Sequence, residues 1–302
     1  MPKTQSIPFG RGICYSGYRV THSPITRQYP SDCEVLEDLL ILSKDFDYIR
    51  MYDTSWHAYS VLRVIQQHHI PLKVMLGAEG GGEISNPDCP WGGLHSDEEI
   101  AYNRLHNYAK LDELALLART YPDIVLAVSV GNESTSLWQS NLLTPETIAS
   151  YVRYIKPKVS CPVTFCEGAH YYRLHGQVIA EEVDFLSIHT YPVWMKIPFV
   201  NAVEETIKDI QQTALMYPDK QILVTEFGWP TSANKSMNAT ETTEENQADY
   251  LAQMAQWSQQ HQITMFVFEA FDEPWKGGND PIEPEKHWGI YTVERSPKIY
   301  TK

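Results

Sequence analysis

The feature that most constrains this chain is a recurrence of short apolar runs, each ending in a polar or glycine-rich tail. They are RGICYS (11–16), DYIRMYD (47–53), LKVMLGAE (72–79), IVLAVSVGNE (124–133), PVTFCEG (162–168), VDFLSIHTYP (183–192), QILVTEFGWP (221–230) and TMFVFEAFDEP (264–274). Near-continuous apolar runs, rather than strict alternation, mark strands buried on both faces of a parallel sheet. Helical patterns fill the gaps. Ser31 and Glu34 form a capping box ahead of CEVLEDLLILS, and Ser96 with Glu99 opens a long segment. In that segment Ala101, Leu105, Tyr108, Ala109, Ala115 and Leu116 are expected to share a buried face. Thr144–Pro145 places an N-cap before a first-turn proline. Thr242 with Glu245 is expected to open the helix leading to the last strand, and NAVEETIKDIQQTALM (201–216) has helical period.

Eight strands alternating with helices predict an α/β fold, a (β/α)8 TIM barrel, as a single domain over residues 1–302. A doubly wound open sheet is the alternative. It needs a phosphate-type glycine loop after its first strand, and RGICYSGY holds no GxGxxG. Gly80–Gly81–Gly82 follows the third strand and is expected to be a surface loop. No composition break or linker marks a second domain, and past Pro274 only a short closing element fits.

Charge narrows the partners. A formal net charge of -14 repels phosphate backbones and anionic membranes, so no nucleic acid or membrane partner is expected. Neutral substrates are favoured, carbohydrate foremost, and the chain is expected to act as a monomer. Five cysteines (Cys14, Cys33, Cys89, Cys161, Cys166) show no CxxC pair or zinc spacing and read as small thiols in a reducing compartment. MPKTQSIPFG lacks an apolar signal core, and no segment is long enough to span a bilayer. These features point to a soluble cytoplasmic protein; a leader removed earlier would make it periplasmic or secreted.

Catalytic groups of such barrels collect at the C-terminal ends of the strands. Those ends carry Tyr15, Arg50, Tyr52, Asp53, Glu79, Asn132, Glu133, Glu167, His189, Tyr191, Glu226, Trp229, Glu269, Asp272 and Glu273. The strand starts show no such concentration. Two carboxylates across a cleft can hydrolyse an acetal, one donating a proton to the departing oxygen while the other attacks or activates water. Glutamates closing strands four and seven face each other across the mouth, so Glu133 and Glu226 suit the pair. A separation of about 5–5.5 Å would give retention of configuration. Trp56, Trp91, Trp138, Trp194, Trp229 and Trp275 fall in strand-to-helix loops, where rings can stack on sugar faces.

VGNES, HTYP, TEFGWPT and FEAFDEPWK, in that order, together with GICYSGYR and IRMYD, resemble glycoside hydrolase family 17, the β-1,3-glucanases. The likeness spans residues 10 to 290. It implies a retaining glycosidase of β-1,3-glucan such as laminarin, endo-acting, with no cofactor. By the resemblance Glu133 is the general acid/base and Glu226 the nucleophile, while Asn132 binds the sugar hydroxyl beside the anomeric centre. Tyr191 would lie against Glu226, and Glu269 and Lys276 would line the cleft. Tyr52, Asp53, His189, Trp229 and Trp275 complete the expected substrate contacts. The chain departs from plant members in carrying His189 where asparagine is usual, and in its long third loop, GAEGGGEISNPDCPWGG.

Plainer readings stand beside these. Glu79 and Glu167 read as solvated or salt-bridged carboxylates. With no HxH or HExxH, His189 reads as a hydrogen-bonded cleft histidine, and no metal site is expected. Asn132-Glu133-Ser134 fits a glycosylation sequon, as do Asn234-Lys235-Ser236 and Asn238-Ala239-Thr240, but the first would sit inaccessibly in the cleft. Three other activities compete with hydrolysis. A β-1,3-glucanosyltransferase would pass the same covalent intermediate to a sugar. A non-catalytic glucan-binding barrel would have no use for both glutamates, and a metal-dependent hydrolase would be inhibited by chelators.

Overall fold

A computed structural model describes residues 6–90 and 92–302. All eight expected strands form: Arg11–Cys14 (β1), Tyr48–Met51 (β2), Lys73–Gly77 (β3), Val125–Asn132 (β4), Val163–Gly168 (β5), Leu186–Thr190 (β6), Ile222–Phe227 (β7) and Met265–Val267 (β8). They pair in parallel, in sequence order, and β8 returns to β1 to close the barrel. The expected (β/α)8 architecture is therefore the one observed.

Alternation along each strand splits the core in two. Cys14, Tyr48, Met75, Ala127, Cys166, Phe185, Leu223 and Phe266 fill the barrel lumen. Ile13, Ile49, Val74, Leu76, Val128, Phe165, Ile188 and Val224 meet the surrounding helices. Two strands break this alternation just before the residues of interest. Between its pairings with Ile188 and His189, β7 advances two residues, Val224 to Glu226, while β6 advances one. On β4 the step from Ser129 to Asn132 matches a step of only two residues on β5. An extra residue in one strand re-aims the side chains that follow it, and such bulges gather beside active sites. Here they turn Asn132 and Glu226 inward where regular alternation would turn them out.

The helices begin largely where the capping chemistry says. Asp32–Leu42 (α1) and Asp97–Thr120 (α3) have complete capping boxes at Ser31 and Ser96. Trp56–His68 (α2) lies between β2 and β3, and Pro145–Ile155 (α4) starts with Thr144 accepting from the Thr147 amide. Ala169–His175 (α5) and Gln177–Glu182 (α6) link β5 to β6. Phe199–Met216 (α7) follows β6, and Glu244–His261 (α8) precedes β8. Two expectations need correction. The cap of α8 is Thr243, which accepts from the Asn246 amide; Thr242 is spent on the Ala239 carbonyl. The buried face of α3 is Asn107, Leu111, Leu114, Ala115, Leu117 and Ala118, which shares only Ala115 with the expected set. Ala101, Tyr108, Ala109 and Leu116 are exposed, and Leu105 is 77% exposed. The first turns of α3 rest under the polar third loop instead of on the barrel. Asn103 Nδ2 donates to the Gly82 carbonyl at 2.7 Å, and Asn107 Nδ2 to the Gly81 carbonyl at 2.9 Å.

That third loop leans on the one after β4. Asn86 Nδ2 donates to the Leu137 and Gln139 carbonyls at 2.6 and 3.0 Å, and His95 Nε2 lies 2.8 Å from the Ser140 carbonyl. Gly82 permits the approach, since a Cβ there would sit 3.0 Å from the Ser140 carbonyl oxygen and 3.1 Å from the Asn141 Cα. The expected surface loop is thus half-buried, held between α3 and its neighbour. All five cysteines are free; Cys14, Cys89 and Cys166 are buried, while Cys33 is exposed. No described helix is long and apolar enough to cross a membrane.

Candidate active site

The inward side chains at the C-terminal rim build one polar cluster. Arg50, on β2 between apolar neighbours, is buried, and burial of a guanidinium demands a counter-charge. Its Nη1 donates to Glu226 Oε1 and, at 3.1 Å, to the Thr225 carbonyl. Its Nη2 donates to Asn132 Oδ1 at 2.5 Å. Tyr52 donates to Glu226 Oε1 at 2.9 Å, and Tyr191 to Glu226 Oε2 at 2.7 Å. His189 Nδ1 lies 2.7 Å from Glu133 Oε1 and 3.6 Å from Glu226 Oε2.

The two glutamates occupy unlike environments. Burial pushes Glu226 up, but His189 and Arg50 beside it, with the Tyr191 and Arg50 hydrogen bonds, outweigh that and hold it well below the usual carboxylate range. For His189, burial pulls down while the charges of Glu226 and Glu133 push up, and the pair wins, leaving it well above the usual imidazole range. Among the described residues, the Glu133 side chain has His189 as its one hydrogen-bond partner. One carboxylate oxygen each from Glu133 and Glu226, and one His189 nitrogen, all lie within 4.8 Å of one another. Three such atoms could ligate a metal. Here, however, both Glu226 oxygens already accept hydrogen bonds, and the Arg50 guanidinium occupies the flank a dication would need. The donor set fits an ion-paired cluster better than a metal centre.

Glu133 has a left-handed backbone, φ 51°, a conformation uncommon for a residue with a Cβ. The chain turns here, although a glycine, Gly131, stands two residues earlier. At Gly131 the constraint is space: a Cβ would stand 3.0 Å from the Phe165 ring.

Other expected residues scatter further. Glu269 and Lys276 meet at 2.8 Å, with Glu273 2.6 Å from the same ammonium. Burial, and then Glu273, push Glu269 well above its ordinary range despite Lys276. The Phe268–Glu269 peptide is cis. Trp275 is half-buried, edge-on to Tyr18 with centroids 5.7 Å apart. Asp53 is half-exposed and accepts from the Ser55 amide at 3.0 Å, shaping the turn into α2. Trp229 is a correction: it is 1% exposed, packs on Phe199 and Tyr250, and donates its indole N–H to the Glu241 carbonyl at 2.8 Å. It is core behind β7, with no face left for a sugar. Trp56, Trp138 and Trp194 are exposed, and Trp91 lies outside the described residues. The sequon amide of Asn234 is engaged by Asp280 and Glu283 at 2.9 and 2.8 Å.

Glu79 is exposed, as expected, but Glu167 overturns its reading. It is fully buried and holds the turn after Glu133. Arg50 was among the strand-end residues yet not among the expected site. An arginine inside the run YIRM was the available signal, because a buried cation must have a partner.

Residues 12–289 match the family described as the BtgE/BtgC glycoside hydrolase domain. The chain belongs to this glycoside hydrolase family. The family-17 resemblance carried by its four motifs agrees with that membership. The glycoside hydrolase is 27% identical over 224 residues to a glucan 1,3-β-glucosidase of Arthroderma benhamiae, covering 68% of this chain and 69% of that one. An endo-laminarinase from Formosa superposes with a TM-score of 0.83 at 25% identity, over 96% of this chain and 85% of the other. A family-17 β-1,3-glucanosyltransferase from Rhizomucor miehei shares the fold, with TM-score 0.74 and 22% identity over 96% of both chains.

Proposed function

We propose that this glycoside hydrolase cleaves β-1,3-glucosidic bonds of laminarin-type glucan with retention, in endo fashion. Glu226 is the nucleophile and Glu133 the general acid/base. The observation that carries the reading is the pairing of unlike carboxylates at short range. Glu226 is held ionised by Arg50 and His189, with an oxygen within 4.8 Å of one from Glu133. Retaining pairs stand about 5–5.5 Å apart because the nucleophile itself reaches the anomeric carbon. In the first step Glu226 attacks that carbon while Glu133 protonates the departing oxygen. In the second, Glu133 takes a proton from a water whose oxygen attacks the anomeric carbon, breaking the bond to Glu226 and releasing the sugar and the free carboxylate. Asn132, fixed through its carbonyl by Arg50, keeps its amide nitrogen for the neighbouring sugar hydroxyl. Glu269 Oε1 and Trp275 Nε1 are buried without a protein partner and suit further hydroxyls.

The test is Glu226→Ala on laminarin. Turnover is expected to fall below detection while binding persists, and undiminished hydrolysis would sink the assignment. Following the anomers of the first products by NMR checks retention. Glucanosyl transfer uses the same intermediate. The observation favouring it is exposed apolar surface on the loop after β4, where Leu137 and the 45% exposed Trp138 offer an acceptor sugar a face. Products longer than a short β-1,3-oligosaccharide substrate would establish it.

A further inference from the structure

The β5 residue Glu167 sits on the wrong side of its strand for a catalytic group. Thr164 and Cys166 point to the lumen, whereas Phe165 and Glu167 point toward the helices. At 1% exposure, Glu167 is a carboxylate sealed behind the barrel wall. Its oxygens accept from four neutral donors: the Thr135 amide at 3.1 Å, Thr135 Oγ1 at 2.5 Å, Ser136 Oγ at 2.6 Å and the Gly168 amide at 2.7 Å. Among the described residues, no lysine, arginine or histidine pairs with it. An ionised group with hydrogen bonds but no counter-ion is an expensive way to tie down a loop, and a glutamine could donate and accept in its place.

What the loop carries is Glu133. A left-handed backbone is unfavourable for a residue with a Cβ, so its surroundings must over-determine it. The Glu133 amide is fixed to the Cys166 carbonyl at 2.8 Å, and its carbonyl accepts from the Ser136 amide at 3.0 Å. Residues 135 and 136 are then gripped by Glu167. The acid/base thus hangs from β5 by two holds, the Cys166 carbonyl on its own amide and the Glu167 carboxylate on the turn that follows it.

We propose that Glu167 is a positioning residue for Glu133, holding the 133–136 turn that aims it into the cleft and placing an uncompensated negative charge behind it. This rests on the reading of Glu133 as the acid/base. Burial, and then the charge of Glu133, push Glu167 up to about 7 against the hydrogen bonds from Ser136, Thr135 and Gly168. Glu167 is therefore charged only toward the alkaline side, where its carboxylate stands behind that of Glu133. The other groups facing the pair are few. Tyr172 of α5 spends its hydroxyl on the Phe165 carbonyl at 2.7 Å, and His175 Nε2 reaches Thr135 Oγ1 at 3.2 Å. On the cleft side stand His189, Glu226, Glu79 and Glu285.

The experiment separates proton donation from folding by changing the leaving group. Glu167→Gln and Glu133→Ala are assayed on laminarin and on 2,4-dinitrophenyl β-laminaribioside, whose departing phenolate needs no proton for glycosylation of the enzyme. For Glu167→Gln the laminarin kcat is expected to fall about tenfold or more, with KM little changed. Bond cleavage in the activated substrate is expected to stay within about twofold, and the alkaline limb of kcat/KM to move to lower pH. Equal losses on both substrates with an unmoved limb would reduce Glu167 to a structural prop and overturn the proposal. Glu133→Ala should show the same leaving-group dependence more strongly. If it does not, the assignment of Glu133 itself fails, a separate outcome. Should Glu167→Gln not fold, Ser136→Ala removes one donor only; the same pattern in milder form supports the proposal, and its absence overturns it.

Discussion

At the scale of single residues, the site works by unequal support. Both glutamates end strands, yet Glu226 receives a guanidinium, two phenols and an imidazole, while Glu133 receives the imidazole alone. His189 is shared between them, so its charge bears directly on when Glu226 is ionised. As the proposed nucleophile, Glu226 must be a carboxylate to attack, and on that proposal the acidic limb of kcat/KM reports its titration in the free enzyme. His189→Asn replaces a cation with a neutral amide and leaves Arg50 as the only positive partner. Glu226 then holds a proton to higher pH, and the acidic limb is expected to move upward by about one unit. A limb that stays in place would mean that His189 is neutral in the working enzyme. The unpaired Nε2 of His189 lies inside the barrel, so its ring charge is balanced only by the two glutamates.

At the scale of elements, legibility tracked the physics of each signal. Capping boxes are local, and those at Ser31 and Ser96 were readable because donor and acceptor lie three residues apart. Ser31→Ala is accordingly expected to cost about 1 kcal/mol, seen as a lower Tm with laminarin hydrolysis unchanged. A drop in activity at permissive temperature would instead tie α1 to the cleft. Strands were readable because burial on both faces leaves an apolar run with a polar tip, and the glutamates stood on those tips. The bulges in β4 and β7 were not readable, since they show only as register against neighbouring strands. Trp229 misled because its motif places it near the mouth, while its ring turns behind β7. Glu167 misled for the opposite reason: nothing local distinguishes a sealed carboxylate from a solvated one. The face of α3 was lost because its first turns carry exposed apolar residues such as Leu105, while burial begins only at Asn107 and continues through Leu111, Leu114, Ala115, Leu117 and Ala118.

At the scale of the whole molecule, barrel closure is the issue. β8 has three residues and joins the last stave to the first. The chain beyond it crosses this seam. Arg295 makes a bidentate pair with the buried Asp38 of α1, at 2.7 and 2.8 Å, and donates to the Gly17 carbonyl at 2.8 Å. Asp38 also meets Arg19 at 2.8 Å and Tyr15 at 3.1 Å. Removing one partner from a buried pair typically costs about 3–5 kcal/mol, and Arg19 remains, so Arg295→Ala is expected to fall near about 3 kcal/mol. Chemical denaturation with a two-state fit measures it; a change under about 1 kcal/mol would show that the latch is idle.

The placement of that latch gives the enzyme a preferred order of failure. The segment that seals the seam also bears the buried cluster of Glu269, Glu273 and Lys276, a few residues past β8, which the proposal places in the cleft. Opening there would disperse the Glu269–Lys276–Glu273 cluster while the other seven staves remain zipped. Heat should therefore silence the protein before it melts: in the Arg295→Ala variant, catalysis would be lost at temperatures where the helical circular dichroism still reports an intact molecule.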